Sequence, residues 1–350
     1  MNSFEIDGKV IGYGYKPYIV AEMSGNHNQS LENALKIVDA AADAGADAVK
    51  LQTYRADLMT LKVDDSRFKV TDESSPWYGK DLYQLYEEAY TPWEWHEPIF
   101  KRCEEKGISC FSSPFDLEAI EFLESLGCPA YKIASFENQD LDLIAAACRT
   151  GKPVIVSTGM ASLSILEEVV LTARENQCKS LTLLKCTSAY PADPAEINLN
   201  TIPHLQKLFG VNVGLSDHTL GIGVAIASVA LGAVMIEKHF TIDRREGGVD
   251  SSFSMEPNEL SMLVAESGKA WKSLGQVTYQ LGEKETKSTA FKRSLIAIED
   301  IPEGTVFSDL NIKALRPGFG LPPKYKSIIF GRRSSKFIPK GTFINWDILG

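Results

Sequence analysis

The sequence predicts an α/β fold: a (β/α)8 TIM barrel followed by a small C-terminal β-rich domain. Three observations carry this. Eight short apolar runs alternate with helical patterns over the first 275 residues, the rhythm of a parallel barrel. Several of these runs end in polar clusters, as strands do at a barrel's active-site mouth. The composition then shifts near Phe291: residues 291–350 hold 10 Lys+Arg against 5 Asp+Glu, although the whole chain is at −10.

In chain order, Tyr18–Ser24 (YIVAEMS) is the first strand, closed by Glu22. Ser30 is placed to cap the helix that follows, LENALKIVDAAADAGA. In the second strand, AVKLQT, period two puts Lys50 and Gln52 on one face. Residues 54–80 read as a long polar loop, and a helical region broken at Pro92 follows. The remaining strands are SCFSSP (109–114), AYKIAS (130–135), PVIVSTG (153–159), LTLLKCTS (181–188), VNVGLSDH (211–218) and VMIEKHF (234–240). A helix from Pro257 to Gly275 closes the barrel, giving residues 1–275 as the catalytic domain, 276–290 as a polar linker and 291–350 as the small domain. Within the last, DIPEGTVFSDLNI and FIPKGTFINWDIL share I-P-x-G-T, which predicts a pseudo-symmetric β unit. A doubly wound open sheet is the alternative, but no G-x-G-x-x-G follows the first strand.

The stretch from Gly214 to Phe240 organises the chemistry. It places His218 and His239 at equivalent tips of neighbouring parallel strands, and two imidazoles converging there point to a divalent metal. Lys50 and Lys132 sit just inside two strand ends, where desolvated ammonium groups require an anion. Ser112, Ser113, Ser135, Ser157, Thr158 and Ser216 add hydroxyls on neighbouring strands, so the set reads as a phosphate or carboxylate cradle. Glu22 faces the mouth as an acid or base. Asp217 either orients His218 or caps the next helix, and Glu237 lies beneath His239 on the same face; for both, a salt bridge inside the barrel is the alternative to a catalytic role. No G-x-S-x-G elbow is present. Either lysine is a possible Schiff-base nucleophile, and a non-enzymatic sugar- or ice-binding role built on the tail is the remaining alternative.

The bulk properties narrow the partners. An acidic chain argues against nucleic acid, and no apolar run is long enough to span a bilayer. None of the six cysteines forms a C-x-x-C pair, and the N-terminus lacks an apolar signal core. A cytoplasmic protein with reduced thiols is expected.

The runs AEMSGNHNQSLENA, AVKLQTY, FSSPFD, AYKIASFEN, STGM, CTSAYPA, GLSDHTLG and EKHFT, followed by GGVDSSFSMEP, resemble the sialic acid synthase family. The likeness spans the chain. The tail, with FKRSLIAIEDIPEGTVF, LRPGFGL and GTFINWDI, resembles that family's antifreeze-like, or SAF, domain. TPWEWH, SFEN and GGVDSSFS are most similar to the branch that makes pseudaminic acid.

The resemblance implies condensation of phosphoenolpyruvate with the open-chain aldehyde of an N-acetylated amino sugar, assisted by a divalent metal: Mn2+ first, with Mg2+ or Co2+ as alternatives. It implies His218 and His239 as metal ligands and Glu22 beside the reacting carbons. Lys50, Ser113, Lys132, Ser135, Ser157 and Ser216 match contacts to phosphoenolpyruvate; Gln52, Tyr190 and Asp250 match the sugar side. Ser188 stands where some N-acetylneuraminate synthases have Asn. The family is a domain-swapped homodimer, and Arg316, in the LRPG turn, matches an arginine that reaches the partner's barrel.

Overall fold

The computed structural model describes residues 3–73 and 75–348. Its contacts divide the chain into two compact units, Met1–Gly275 and Gln276–Gly350.

The first unit begins with an antiparallel hairpin, β1 (Phe4–Ile6) and β2 (Lys9–Ile11). Eight strands follow: β3 (Tyr18–Glu22), β4 (Ala48–Thr53), β5 (Ser109–Pro114), β6 (Tyr131–Ile133), β7 (Val154–Ser157), β8 (Leu181–Cys186), β9 (Asn212–Ser216) and β10 (Met235–His239). They pair in parallel and close into a barrel in chain order, with β10 returning to β3. Both faces of such a sheet are covered, which is why the strands read as nearly unbroken apolar runs. Alternation then sorts their side chains. Ile19, Ala21, Val49, Leu51, Leu215 and Ile236 pack outward with helix residues Ala34, Ile37, Val38 and Ala41. That phase leaves Glu22, Lys50, Gln52 and Glu237 on the opposite, interior face. Phe4, Ile6 and Ile11 of the hairpin share a core with Tyr18 and Ala48, so they cap the N-terminal end.

The helix Leu31–Asp43 starts where its cap predicts: the Ser30 hydroxyl accepts the Asn33 N–H at 3.3 Å. Pro257–Leu274 opens with proline in its first turn and a reciprocal Glu256–Glu259 capping box. Several boundaries differ from expectation: β3, β7, β8, β9 and β10 end at Glu22, Ser157, Cys186, Ser216 and His239, one or two residues early. The sixth strand stops at Ile133 rather than running to Ser135, because Ser135–Glu137 turns into a 3-10 helix. The supposed linker holds a helix, Glu283–Ser288, and falls in the second unit. Its glutamates in the first turn and Lys287 in the last complement the helix dipole.

In the second unit, β11 (Ser294–Ala297) pairs antiparallel with β12 (Ile312–Leu315) over a core of Leu295, Ile301, Phe307, Ile312, Ile338 and Ile344. The sequence echo is a structural one. Ile301 and Ile338 exchange backbone hydrogen bonds of 2.8 and 2.9 Å, so the two I-P-x-G-T segments pair with each other. Each then turns through a glycine in the left-handed region, Gly304 at φ 77° and Gly341 at φ 87°.

Candidate active site

At the C-terminal end of the barrel, four buried charges form the floor. The Lys50 ammonium lies 2.6 Å from Glu22 and 3.8 Å from Glu237, and it donates to Ser113 at 3.2 Å. Lys132 stands 3.8 Å from the same Glu237 oxygen and donates to the Ile133 carbonyl at 3.2 Å. Gln52 donates to Glu22 at 2.8 Å, and Ser216 to Glu237 at 3.2 Å. These surroundings separate the two carboxyls. Burial, helped by the nearby Glu237 charge, raises Glu22 to about 7 against the pull of Lys50. Burial pushes Glu237 the same way, but Lys132 and Lys50 outweigh it and hold Glu237 low. One group is thus ready to carry a proton near neutrality while the other stays ionised. Burial lowers Lys132, which Glu237 only partly offsets. An ammonium with three donors, one hydrogen bond and one longer ion pair is under-compensated, and a bound anion would complete it.

Beside Lys132 the hydroxyls line a small recess. Ser135 accepts the Gly159 N–H at 3.1 Å, and Asn138 donates to the Gly159 carbonyl at 2.9 Å. The buried hydroxyl of Ser157 has no hydrogen-bond partner, and that of Ser188 is within reach of the Tyr190 hydroxyl. A side chain at residue 159 would close the space, because a Cβ there would lie 2.1 Å from the Ser188 oxygen and 2.5 Å from that of Ser135. Two of the expected donors belong elsewhere. Ser112 bonds Thr53 at 2.6 Å, and Thr53 in turn bonds His96, a helix residue outside the barrel. Period two places Ser112 on the outer face, out of phase with Ser113. Thr158 accepts the Cys186 N–H at 3.2 Å and so joins strand ends.

The two histidines meet at the mouth, their ring centres 5.4 Å apart. His218 Nδ1 is 2.9 Å from the Thr187 carbonyl, which fixes a proton on that nitrogen. Against the effect of burial, Cys186 and this carbonyl raise its pKa, so Nε2 offers a lone pair only once its own proton has left. His239 Nδ1 is buried without a hydrogen-bond partner, 3.6 Å from the Asp250 carboxylate. Burial and the neighbouring cations keep His239 neutral, with its pKa well below the usual range. Among the described residues no group of three or more His, Cys, Asp or Glu gathers as a ligand set. Two imidazole donors with a neighbouring carboxylate fit a divalent ion bound mainly by neutral nitrogens, with its other positions open.

Asp217 neither orients His218 nor caps the next helix; it takes the buried salt bridge that is the other reading of it. It accepts from Lys238 at 2.8 Å and from the Thr219 N–H and hydroxyl at 2.9 and 2.8 Å, a buried pair on the outer phase of the same strands. Tyr190 packs 4.4 Å from His218, ring centre to ring centre. Asp250 accepts from Ser24, which also takes a hydrogen bond from Gln52, and burial raises its carboxyl to about 6. Arg316 lies exposed just past β12 in the second unit.

Ser24, Asn138, Gly159, Trp77 and Phe253 join the site without having been singled out. For Ser24, Asn138, Gly159 and Phe253 the signal lay in the motifs AEMS, SFEN, STGM and GGVDSSFS, whose less conspicuous positions become meaningful only beside their partners; Trp77 lies in the polar loop 54–80 and belongs to none of them. Glu137 belongs with them: burial raises it to about 7 against the pull of Lys132.

The sequence profile of the NeuB family matches residues 37–279, and that of the SAF domain matches residues 292–349. The chain belongs to the NeuB family. Among its relatives is a pseudaminic acid synthase of Campylobacter jejuni, 44% identical over 326 residues, which are 93% of this chain and 94% of that one. A pseudaminic acid synthase of Helicobacter pylori is 43% identical, covering 95% and 97%. Among solved structures, an N-acetylneuraminic acid synthetase from Leptospira borgpetersenii, in complex with citrate, superposes with a TM-score of 0.73 at 31% identity, covering 82% of this NeuB-family chain and 95% of that one.

Proposed function

We propose that this NeuB-family chain is an enzyme, a pseudaminic acid synthase. It condenses phosphoenolpyruvate, 2,4-diacetamido-2,4,6-trideoxy-L-altrose and water to pseudaminate and phosphate. The observation that carries the reading is the 44% identity to a pseudaminic acid synthase over nearly the whole of both chains, against 31% to the N-acetylneuraminic acid synthetase.

The buried charges and the histidine pair support the following roles. Lys50 and Lys132, with Ser113, Ser135, Ser157 and Ser216, hold the phosphate and carboxylate of phosphoenolpyruvate on the barrel floor. Gln52, Tyr190 and Asp250 position the sugar, with its aldehyde toward the histidines. His218 and His239 hold a divalent ion, Mn2+ or a similar cation, whose chemistry is Lewis-acid polarisation of a carbonyl. The enol carbon attacks the aldehyde carbon, water adds to the carbon that bore the phosphate, and C–O cleavage releases phosphate to leave the 2-keto acid. Glu22, at the reacting end with a pKa near 7, takes or gives a proton. In the dimer, Arg316 of one subunit completes the sugar site of the partner's barrel.

The test is phosphate release from phosphoenolpyruvate with each candidate amino sugar. Release that requires the diacetamido trideoxy sugar, stops with EDTA and returns with Mn2+ is expected. Preference for N-acetylmannosamine or for a legionaminate precursor would overturn the sugar assignment. A Schiff-base aldolase has one observation in its favour, the lowered Lys132. It would show as a borohydride-trapped pyruvyl adduct and indifference to EDTA.

A further inference from the structure

The connection after β4 brings an aromatic side chain over the barrel mouth that the chemistry above does not use. Trp77 lies 5.5 Å from Tyr190 and 6.3 Å from Phe253, ring centre to ring centre. Tyr190 and Phe253 are 5.2 Å apart, and Phe253 stands 5.0 Å from His239. The three rings therefore make one apolar surface that begins at the histidine pair and runs outward. The Trp77 N–H is already committed: it donates to the Val249 carbonyl at 2.7 Å. This bond ties the indole to the loop that carries Asp250. The loop approaches closely because residue 248 is glycine, at φ 130°, where a Cβ would lie 2.9 Å from the Asn28 side chain.

We propose that Trp77, backed by Phe253 and Tyr190, is the specificity-determining residue for the deoxygenated end of the acceptor. Its indole receives the C6 methyl of a 6-deoxy amino sugar and penalises a 6-hydroxyl. The inference rests on the function proposed above and deepens it. A six-carbon aldehyde that presents C1 to the histidines leads its far end away from the floor, which Lys50, Lys132 and their carboxylates fill. Along the ring surface a terminal methyl is buried against carbon. A hydroxyl in the same place gives up water against the ring face and gains no hydrogen bond from the indole N–H, which is already bonded to Val249.

The experiment compares the diacetamido trideoxy acceptor with its 6-hydroxy counterpart in wild type, Trp77→Ala and Trp77→Phe, reading kcat/KM by phosphate release. Wild type is expected to prefer the 6-deoxy sugar by about 10–100-fold, the scale set by small groups in apolar pockets. Trp77→Ala should raise the sugar KM and reduce that preference to roughly threefold or less, with the KM for phosphoenolpyruvate nearly unmoved. Trp77→Phe, which keeps a ring, should restore most of the preference. Wild-type turnover with a preference unchanged in Trp77→Ala would overturn the wall and leave the synthase reading standing. Rejection of the 6-deoxy acceptor by wild type in favour of a 6-hydroxy sugar would overturn both.

Discussion

His27 and His96 give this protein an acid sensitivity separate from catalysis. Both are fully buried, and burial lowers each to about 4. Their hydrogen bonds suit neutral rings. His96 Nδ1 faces the Pro92 carbonyl at 3.2 Å and so carries the proton, while Nε2 accepts from Thr53 at 2.8 Å. His27 accepts the Gln29 N–H on Nδ1 and donates from Nε2 to Thr91. The unfolded chain binds these protons near pH 6.5 and the folded chain near pH 4, so the stability of the neutral forms is complete above about 6.5 and is lost as pH falls toward 4. Each ring contributes a slope of up to about 1.4 kcal/mol per pH unit in that window. Urea titrations from pH 7 to 4 should show a shallower loss in His96→Asn than in wild type, and parallel profiles would refute the assignment. At the barrel floor, Lys50→Ala or Lys132→Ala should raise the KM for phosphoenolpyruvate far more than that for the sugar. Loss of a charged partner in a buried site is worth about 2–4 kcal/mol. An unchanged phosphoenolpyruvate KM with normal turnover in both variants would remove them from the anion site.

In β9 (Asn212–Ser216) one position admits no side chain. Gly214 stands in register with Leu184 of the neighbouring strand β8, and a Cβ there would lie 2.4 Å from the Met235 carbonyl and 2.7 Å from the Leu184 side chain. The Met235 carbonyl is backbone of the adjacent strand β10 and cannot move without disturbing a closed sheet. Gly214→Ala should therefore destabilise the barrel by about 2–3 kcal/mol, measured by urea denaturation. Ser30→Ala, which removes only a helix cap, should cost about 1 kcal/mol. A Gly214→Ala loss no larger than that of Ser30→Ala would contradict the packing. At this scale the sequence was readable where periodicity is strong. It foresaw all eight barrel strands, and it placed Lys50, Gln52, Glu237 and His239 on the inner phase. It gave Ser112 the same standing as Ser113, because a run of serines shows no preference between faces until the partner across the strand, Thr53, is in place.

For the whole molecule, the question is whether one subunit's tail completes the other's barrel. His239→Ala and Arg316→Ala, each expected to be inactive alone, are mixed under conditions that exchange subunits. If Arg316 acts in trans, a heterodimer has one site with both lesions and one intact site, so random exchange should restore about a quarter of wild-type activity. If it acts in cis, every site keeps a lesion, and a dead mixture with heterodimers demonstrated would end the swapped arrangement.

The alternation of apolar runs and helix signals determined the barrel, since burial on both sheet faces leaves a pattern that no single substitution hides. The repeated I-P-x-G-T likewise announced two matching turns. Only the tertiary structure decided which polar side chains cooperate. Asp217 was as conspicuous in the sequence as Glu237, yet Lys238 takes it into a buried pair on the outer phase while Glu237 faces two lysines. Trp77, far from the histidines in the chain and inside a loop without periodicity, reached the mouth through one hydrogen bond to Val249 and the contacts of three rings. Periodicity is a local property and survives in the sequence. The convergence of loops is set by contacts between residues more than a hundred positions apart, and no local pattern records it.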